Sequence, residues 1–302
     1  MEVLLRLLAL LALLLLGTGL RASGILTAGR TARLNAVAYY VALPALIFVS
    51  TYDRSIGDLV SVALVGGILL VLFTMAAVAW FVHRNQETDA RRSVAVVQSY
   101  HSNLGYLGLP LVAATFDEGV TAIASVILGV GALVQMPLTI TILSTVNGAE
   151  ASLGEELRGL ATNPVLLALI AGLGVGATGV GFPGPVVFGL DALGALALPL
   201  ALLCTGASLT VDLPSVDYGA TGSVVVLKIL LMPALAWLVF SALAVDTATF
   251  VASVVMLSTP TAVSTYVFAA ELDGDAEFAS LNVFATTLVS IGTLFVLITV
   301  VS

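Results

Sequence analysis

Apolar residues in this chain come in continuous stretches of about 20, set apart by short polar or glycine-bearing breaks. A helix of about 20 residues crosses roughly 30 Å of hydrocarbon. Such stretches run over residues 3–20, 35–51, 59–82, 93–115, 120–146, 163–181, 187–209, 219–243, 247–270 and 277–300. Short strands of alternating polarity, which a membrane β-barrel needs, are not found. The pattern therefore predicts an all-α polytopic membrane protein with ten transmembrane helices. The first stretch has Arg6 before a leucine-rich core, as a signal peptide would. It is long for that purpose and Glu2 spoils a basic leader, so it reads as a helix.

The chain echoes itself at an offset near 155. Ala42-Leu-Pro-Ala-Leu-Ile47 is matched by Ala197-Leu-Pro-Leu-Ala-Leu202, Asp58-Leu59 by Asp212-Leu213, and Trp80 by Trp237. Five spans is an odd number, so the second half enters the membrane inverted relative to the first. The reading is one integral membrane domain over 1–302, with repeats at 1–147 and 163–302 joined by a loop at 147–162. Inverted repeats characterise many secondary transporters, whose binding sites lie at the midplane.

Two spans are interrupted at matching places. The fourth contains His101-Ser-Asn-Leu-Gly-Tyr-Leu-Gly-Leu-Pro110 and the ninth contains Ser258-Thr-Pro-Thr-Ala-Val-Ser264. Proline removes a backbone donor and clashes with the preceding turn, while hydroxyl and amide side chains offer partners to the freed groups. Thr259-Pro260 reads as an N-cap and first-turn proline opening a second half-helix. Irregular backbone at this depth is tolerated only inside protein or beside a water-filled cavity. Helix N-termini aimed at the midplane favour an anion, in particular a carboxylate. Ser102, Asn103, Gly105, Pro110, Thr259, Pro260, Thr261 and Ser264 are the candidate substrate-binding residues.

Composition adds limits. Hydrophobic residues are 60% of the chain and charged ones 9%, too few to wet the surface of a soluble fold of this size. Cys204 is the lone cysteine, His83 and His101 have no zinc-like spacing, and no Walker, H-E-x-x-H or G-x-S-x-G motif occurs. Neither an enzyme nor a resident metal or cofactor is expected, and no nucleic acid partner. The glycines between Gly172 and Gly181 fit close helix packing. No soluble nucleotide-binding segment accompanies the spans, so uphill transport is expected to draw on an ion gradient. Net charge is −8, with Lys228 the only lysine beside nine arginines, which fits a GC-rich genome or the acidic surface of a halophile. Arg21, Arg30, Arg33, Arg84, Arg91, Arg92 and Arg158 follow odd-numbered spans, against Arg6 and Arg54 opposite, which places both termini outside the cell membrane.

The chain resembles the auxin efflux carrier family, related in fold to the bile acid:sodium symporters. The resemblance runs nearly full length. It rests on Leu34-Asn-Ala-Val-Ala-Tyr-Tyr-Val-Ala-Leu-Pro-Ala-Leu-Ile-Phe48, Asn103-Leu-Gly-Tyr-Leu-Gly-Leu-Pro110, Asn163-Pro164, Pro199-Leu-Ala-Leu-Leu-Cys-Thr-Gly-Ala-Ser-Leu209, Pro260-Thr-Ala-Val-Ser264 and Ala270-Glu-Leu-Asp-Gly-Asp275. It implies two inverted five-helix repeats, broken crossing helices 4 and 9, and panel and transport domains that move against each other. It implies organic anions such as dicarboxylates as cargo, with Asn103, Pro110 and Pro260 lining the site, and it makes a homodimer reasonable. Many relatives have Asn where this chain has Ser264, a departure that bears on the substrate.

Lys228 lies roughly 14 Å into the eighth span, at 1.5 Å per residue. A lysine at that depth costs about 2.5–3.5 kcal/mol on insertion scales, so it needs a cavity, a partner or an interface. Two roles fit: a positive charge for an anionic substrate, or a structural lysine on backbone carbonyls. His101, beside the first break, is the candidate for a coupling proton, or it serves helix packing. Sodium coupling is the alternative, although no carboxylate lies near the ninth-span break. Asp58 and Asp191 read as helix-start residues. A passive channel, and a retinal protein built on Lys228, are the readings from other classes.

Overall fold

The computed structural model describes residues 2–150, 153–208 and 218–301. The helices run α1 Glu2–Ala22, α2 Ala28–Thr51, α3 Ile56–Val82, α4 Asp89–Tyr100, α5 Leu104–Thr115, α6 Glu118–Asn147, α7 Leu153–Ala161, α8 Pro164–Thr178, α9 Gly184–Ala207, α10 Gly219–Ala242, α11 Thr247–Leu257, α12 Ser264–Glu271 and α13 Ala276–Val301. Six of them (α2, α3, α6, α9, α10 and α13) are long and apolar enough to cross a membrane, and shorter apolar helices accompany them. Large apolar side chains also face outward, among them Phe188 at 75% exposure and Leu238 at 65%. That outward face suits acyl chains, and the chain is a multi-pass helical membrane protein.

Each predicted apolar stretch falls on helical structure, with shifted ends. Helix α2 starts at Ala28, because Thr27 accepts a hydrogen bond from the Arg30 amide and caps it. Asn163 caps α8 by accepting from the amides of Val165 and Leu166, with Pro164 in the first turn, where its missing N–H costs nothing. The segment 147–162 is more than a loop, since it carries α7. Asp191 does not open a helix. Helix α9 begins at Gly184, and Asp191 sits about two turns inside it. The Asp212-Leu213 echo lies outside the described residues.

The chain divides into two compact units, each drawing on both sequence halves. The first comprises residues 1–61, 105–129 and 158–211. Glycines set its closest helix approaches. A Cβ on Gly17 would run into the Leu203 carbonyl, and one on Gly206 into the Leu14 carbonyl, so α1 and α9 meet backbone to backbone. Gly172 and Gly176 of α8 likewise pack against the end of α2, at Thr51 and the Arg54 carbonyl.

The second unit comprises residues 62–104, 130–157 and 212–302. Its interior is built on α4 and α11, where every residue over 93–100 and 251–257 is buried. Among the described residues three helices carry a π-type turn, at Ala38–Ala42, Leu104–Gly108 and Leu227–Leu231. Each stands immediately before a helical segment whose second residue is proline: Pro44, Pro110 and Pro233. The ring excludes the ordinary i→i−4 bond, and the wider turn accommodates it.

Candidate functional site

Both interruptions are real, and within the second unit they face each other. Helix α4 stops at Tyr100 and α11 at Leu257. Ser102 and Thr261 form an antiparallel bridge, in which the Asn103 amide donates to the Pro260 carbonyl at 2.8 Å and the Ala262 amide to the His101 carbonyl at 3.1 Å. Backbone freed from one helix is thus paired with backbone freed from the other. Leaving either unpaired away from water would cost about 1–3 kcal/mol per group.

Side chains complete the pairing. An unbroken α4 would have the Ser102 amide donate to the Gln98 carbonyl. Instead Gln135 Oε1 of α6 takes the Ser102 amide at 2.6 Å, and Thr261 Oγ1 donates to the Gln98 carbonyl at 2.7 Å. An unbroken α11 would have the Thr261 amide donate to the Leu257 carbonyl. Instead Thr286 Oγ1 of α13 accepts the Thr261 amide at 3.3 Å, and Ser102 Oγ donates to the Leu257 carbonyl at 3.2 Å. Gln98 joins the same cluster. Its Nε2 donates to Thr265 Oγ1 and the Ala279 carbonyl, and its Oε1 accepts from Asn282 Nδ2 at 2.8 Å.

Lys228, in the π-type turn of α10, is wholly buried and reaches the same place. Its Nζ donates to Ser102 Oγ at 2.6 Å, to the Leu257 carbonyl at 3.1 Å and to Met232 Sδ at 3.1 Å. The amine thus has three acceptors within reach. None of the ion pairs among the described residues involves Lys228. The lysine therefore does contact a backbone carbonyl, yet it also brings an amine to the break that forms no ion pair with a carboxylate among the described residues.

The remaining candidates are placed as follows. His101 is buried, its Nδ1 2.7 Å from Thr139 Oγ1, which also hydrogen-bonds the Tyr100 hydroxyl at 3.0 Å. Asn103 and Thr259 are buried, and Ser264 is half-buried at the start of α12. Gly105 and Pro110 belong to the first unit, where Pro110 is the second residue of the α-helical part of α5. Thr259-Pro260 does not cap a half-helix, because α12 begins only at Ser264. Thr259 Oγ1 turns back to the Met256 carbonyl at 2.8 Å, while the Pro260 carbonyl and Thr261 are held by the opposite break. Sequence reading missed Gln135, Thr139, Thr286, Asn282 and Met232. Their one local signal was a polar or soft group inside an apolar span. Among the described residues no group of three or more His, Cys, Asp or Glu could hold a metal ion.

This arrangement presents donors, a buried lysine amine and irregular backbone in the interior of a membrane protein, which suits transient recognition of a polar solute. Comparison with known proteins agrees on transport. The family described as "Membrane transport protein" matches residues 2–158 and 149–298. A protein of Methanothermobacter thermautotrophicus named "Uncharacterized transporter" is 27% identical over 291 residues, covering 94% of this chain and 93% of its own length. A protein of Rhizobium meliloti named "Putative malonate transporter" is 26% identical over 270 residues, covering 86% and 83%. With the family matched from end to end, the chain belongs to the membrane transport proteins of the auxin efflux carrier family.

Proposed function

We infer that the protein is a secondary carrier that moves a small organic anion of the carboxylate class across the cell membrane by alternating access. The observation that carries this reading is Lys228: a wholly buried amine, bonded into the paired breaks through Ser102 and Leu257, and in no ion pair among the described residues. A buried cation is costly in a membrane, and an anionic cargo supplies the compensating charge. The name of the Rhizobium meliloti relative points to the same chemistry.

In this reading the ten spans form two inverted repeats, and the reciprocal hydrogen bonds of Ser102 and Thr261 support that symmetry. The broken pairs α4–α5 and α11–α12 carry the site through Ser102, Asn103, Gly105, Pro110, Thr259, Pro260, Thr261, Ser264 and Lys228. The two units act as panel and transport domains, as the family resemblance implies. Both termini lie outside, the chain pairs as a homodimer, and transport is driven by a proton or by membrane potential, with His101 as the coupling group.

The test is counterflow in proteoliposomes. Labelled malonate is expected to enter saturably against internal unlabelled malonate, and mono- and dicarboxylates are expected to raise the melting temperature of the purified protein. Ohmic conductance without counterflow would make it a channel. A flat thermal response to every carboxylate would end the anion reading.

A further inference from the structure

The two breaks satisfy one another almost symmetrically, and the departure from symmetry is informative. Gln135 and Thr286 have equivalent jobs: each accepts the amide hydrogen that its break has lost, from Ser102 and Thr261 respectively. Thr286 then passes its own hydrogen to the Asn282 carbonyl at 2.7 Å. Gln135 has no such outlet. Its Nε2 is buried and has no hydrogen-bond partner, with the residue only 1% exposed. The orientation of this amide is dictated by chemistry. The atom 2.6 Å from an N–H donor is the oxygen, so the NH2 group points the other way.

That NH2 group is well placed for an anion. Gln135 and Lys228 hold Ser102 from two sides, one through its backbone nitrogen and the other through its hydroxyl. Immediately after Ser102 come Asn103 and the start of α5. One turn before Gln135 on α6 stands Gly131, whose missing Cβ would lie 3.1 Å from Nε2 and collide with Leu104, so no side chain of α6 covers the amide there. Gln98 shows what a purely structural glutamine looks like in this unit, with both ends of its amide bonded. Glutamate at position 135 would accept the Ser102 amide equally well and add a negative charge beside Lys228. Gln135 keeps the acceptor, omits the charge and leaves two hydrogens free.

We propose that Gln135 is a substrate-binding residue whose side-chain NH2 donates to a carboxylate of the transported anion, with Lys228 supplying charge from the other side of Ser102. This rests on the organic-anion reading. It adds a residue from α6, outside both breaks, and a reason for carboxylate selectivity: the donor is left unmet until an acceptor arrives.

The experiment compares malonate binding by calorimetry in the purified full-length wild type and in Gln135→Glu, which retains the acceptor for Ser102 and replaces only the NH2. Affinity is expected to fall roughly tenfold or more, the equivalent of one lost hydrogen bond to a charged group. Gln135→His, which keeps an acceptor and an N–H, is expected to recover most of that loss, which repair of the Ser102 contact alone would not predict. If the buried glutamate prevents folding, Gln135→Met takes its place with the same expected loss. Wild-type binding matched within twofold by Gln135→Glu, or by Gln135→Met where that variant stands in, overturns the proposal and leaves the anion reading intact. A wild type that binds no carboxylate overturns both.

Discussion

Ser102 and Thr261 repair each other's helices. Ser102 Oγ donates to Leu257, the carbonyl orphaned at the Thr261 break, and Thr261 Oγ1 donates to Gln98, the carbonyl orphaned at the Ser102 break. The exchange makes two discontinuous helices one mechanical element, because neither break is satisfied without the other. It explains how backbone this irregular persists where water is scarce. Lys228 joins the pair at Ser102 and Leu257, so its amine reports on the same junction.

Thr261→Val keeps the shape of the side chain and removes only its hydroxyl. The Gln98 carbonyl is then stranded, and a loss of about 1–3 kcal/mol is expected. Thr261→Ser should recover most of it. Thermal melts of the three purified proteins check this, and equal melting temperatures would show that the exchange contributes nothing.

Lys228→Gln separates charge from hydrogen bonding, because the amide still donates to Ser102 or Leu257 while the charge is gone. Malonate uptake is expected to collapse with only a small change in melting temperature. Lys228→Ala should lose both. Unchanged uptake in either variant would reduce Lys228 to a structural role.

His101→Gln tests coupling. If the imidazole carries the proton, the variant transports with a flat profile between about pH 5 and 8, where wild-type uptake varies. Profiles that coincide, sloping or flat, remove His101 from coupling.

Two glycines on α1 should respond with opposite signs. A Cβ on Gly17 meets the Leu203 carbonyl and the Ala207 nitrogen, and Gly17→Ala is expected to destabilise by about 1–3 kcal/mol through overpacking. Gly19 has nothing within 4 Å of such a Cβ, and Gly19→Ala is expected to gain up to about 1 kcal/mol from helix propensity. Melting temperatures in one detergent compare them directly.

Asp246 gives a pH test away from the spans. Desolvation raises its pKa, but bonds from the Thr249 hydroxyl at 2.6 Å and the Thr249 amide at 3.0 Å outweigh that, and the carboxyl sits below its ordinary value. A depressed native pKa stabilises above the unfolded value of about 3.9 and loses that contribution as pH falls through the native one. Asp246→Ala should therefore cost about 0.5–2 kcal/mol near neutrality, with the difference from wild type shrinking below about pH 4. A difference independent of pH would contradict the assignment.

Much of this was legible in advance because membrane insertion reads composition locally. Ten apolar stretches each fell on helical structure, and the interruptions at Ser102 and Thr261 announced themselves as polar and proline-bearing gaps. The Thr259-Pro260 cap was misread for the opposite reason. Local rules favour a helix start there, whereas the bridge of Thr261 to Ser102 holds that stretch out of helix, and α12 begins only at Ser264. Gln135 and Thr286 were invisible, since one polar residue in an apolar span carries no mark of what it faces.

By itself the sequence determined that the chain lives in the bilayer, where its helices are and where two of them break, since each of those follows from a residue and its near neighbours. Only the tertiary structure decided that the breaks complete each other, that Lys228 reaches Ser102, and that Gln135 is left with a free donor. Those are distances between residues 33 to 163 positions apart, set by how helices pack. No local pattern encodes them.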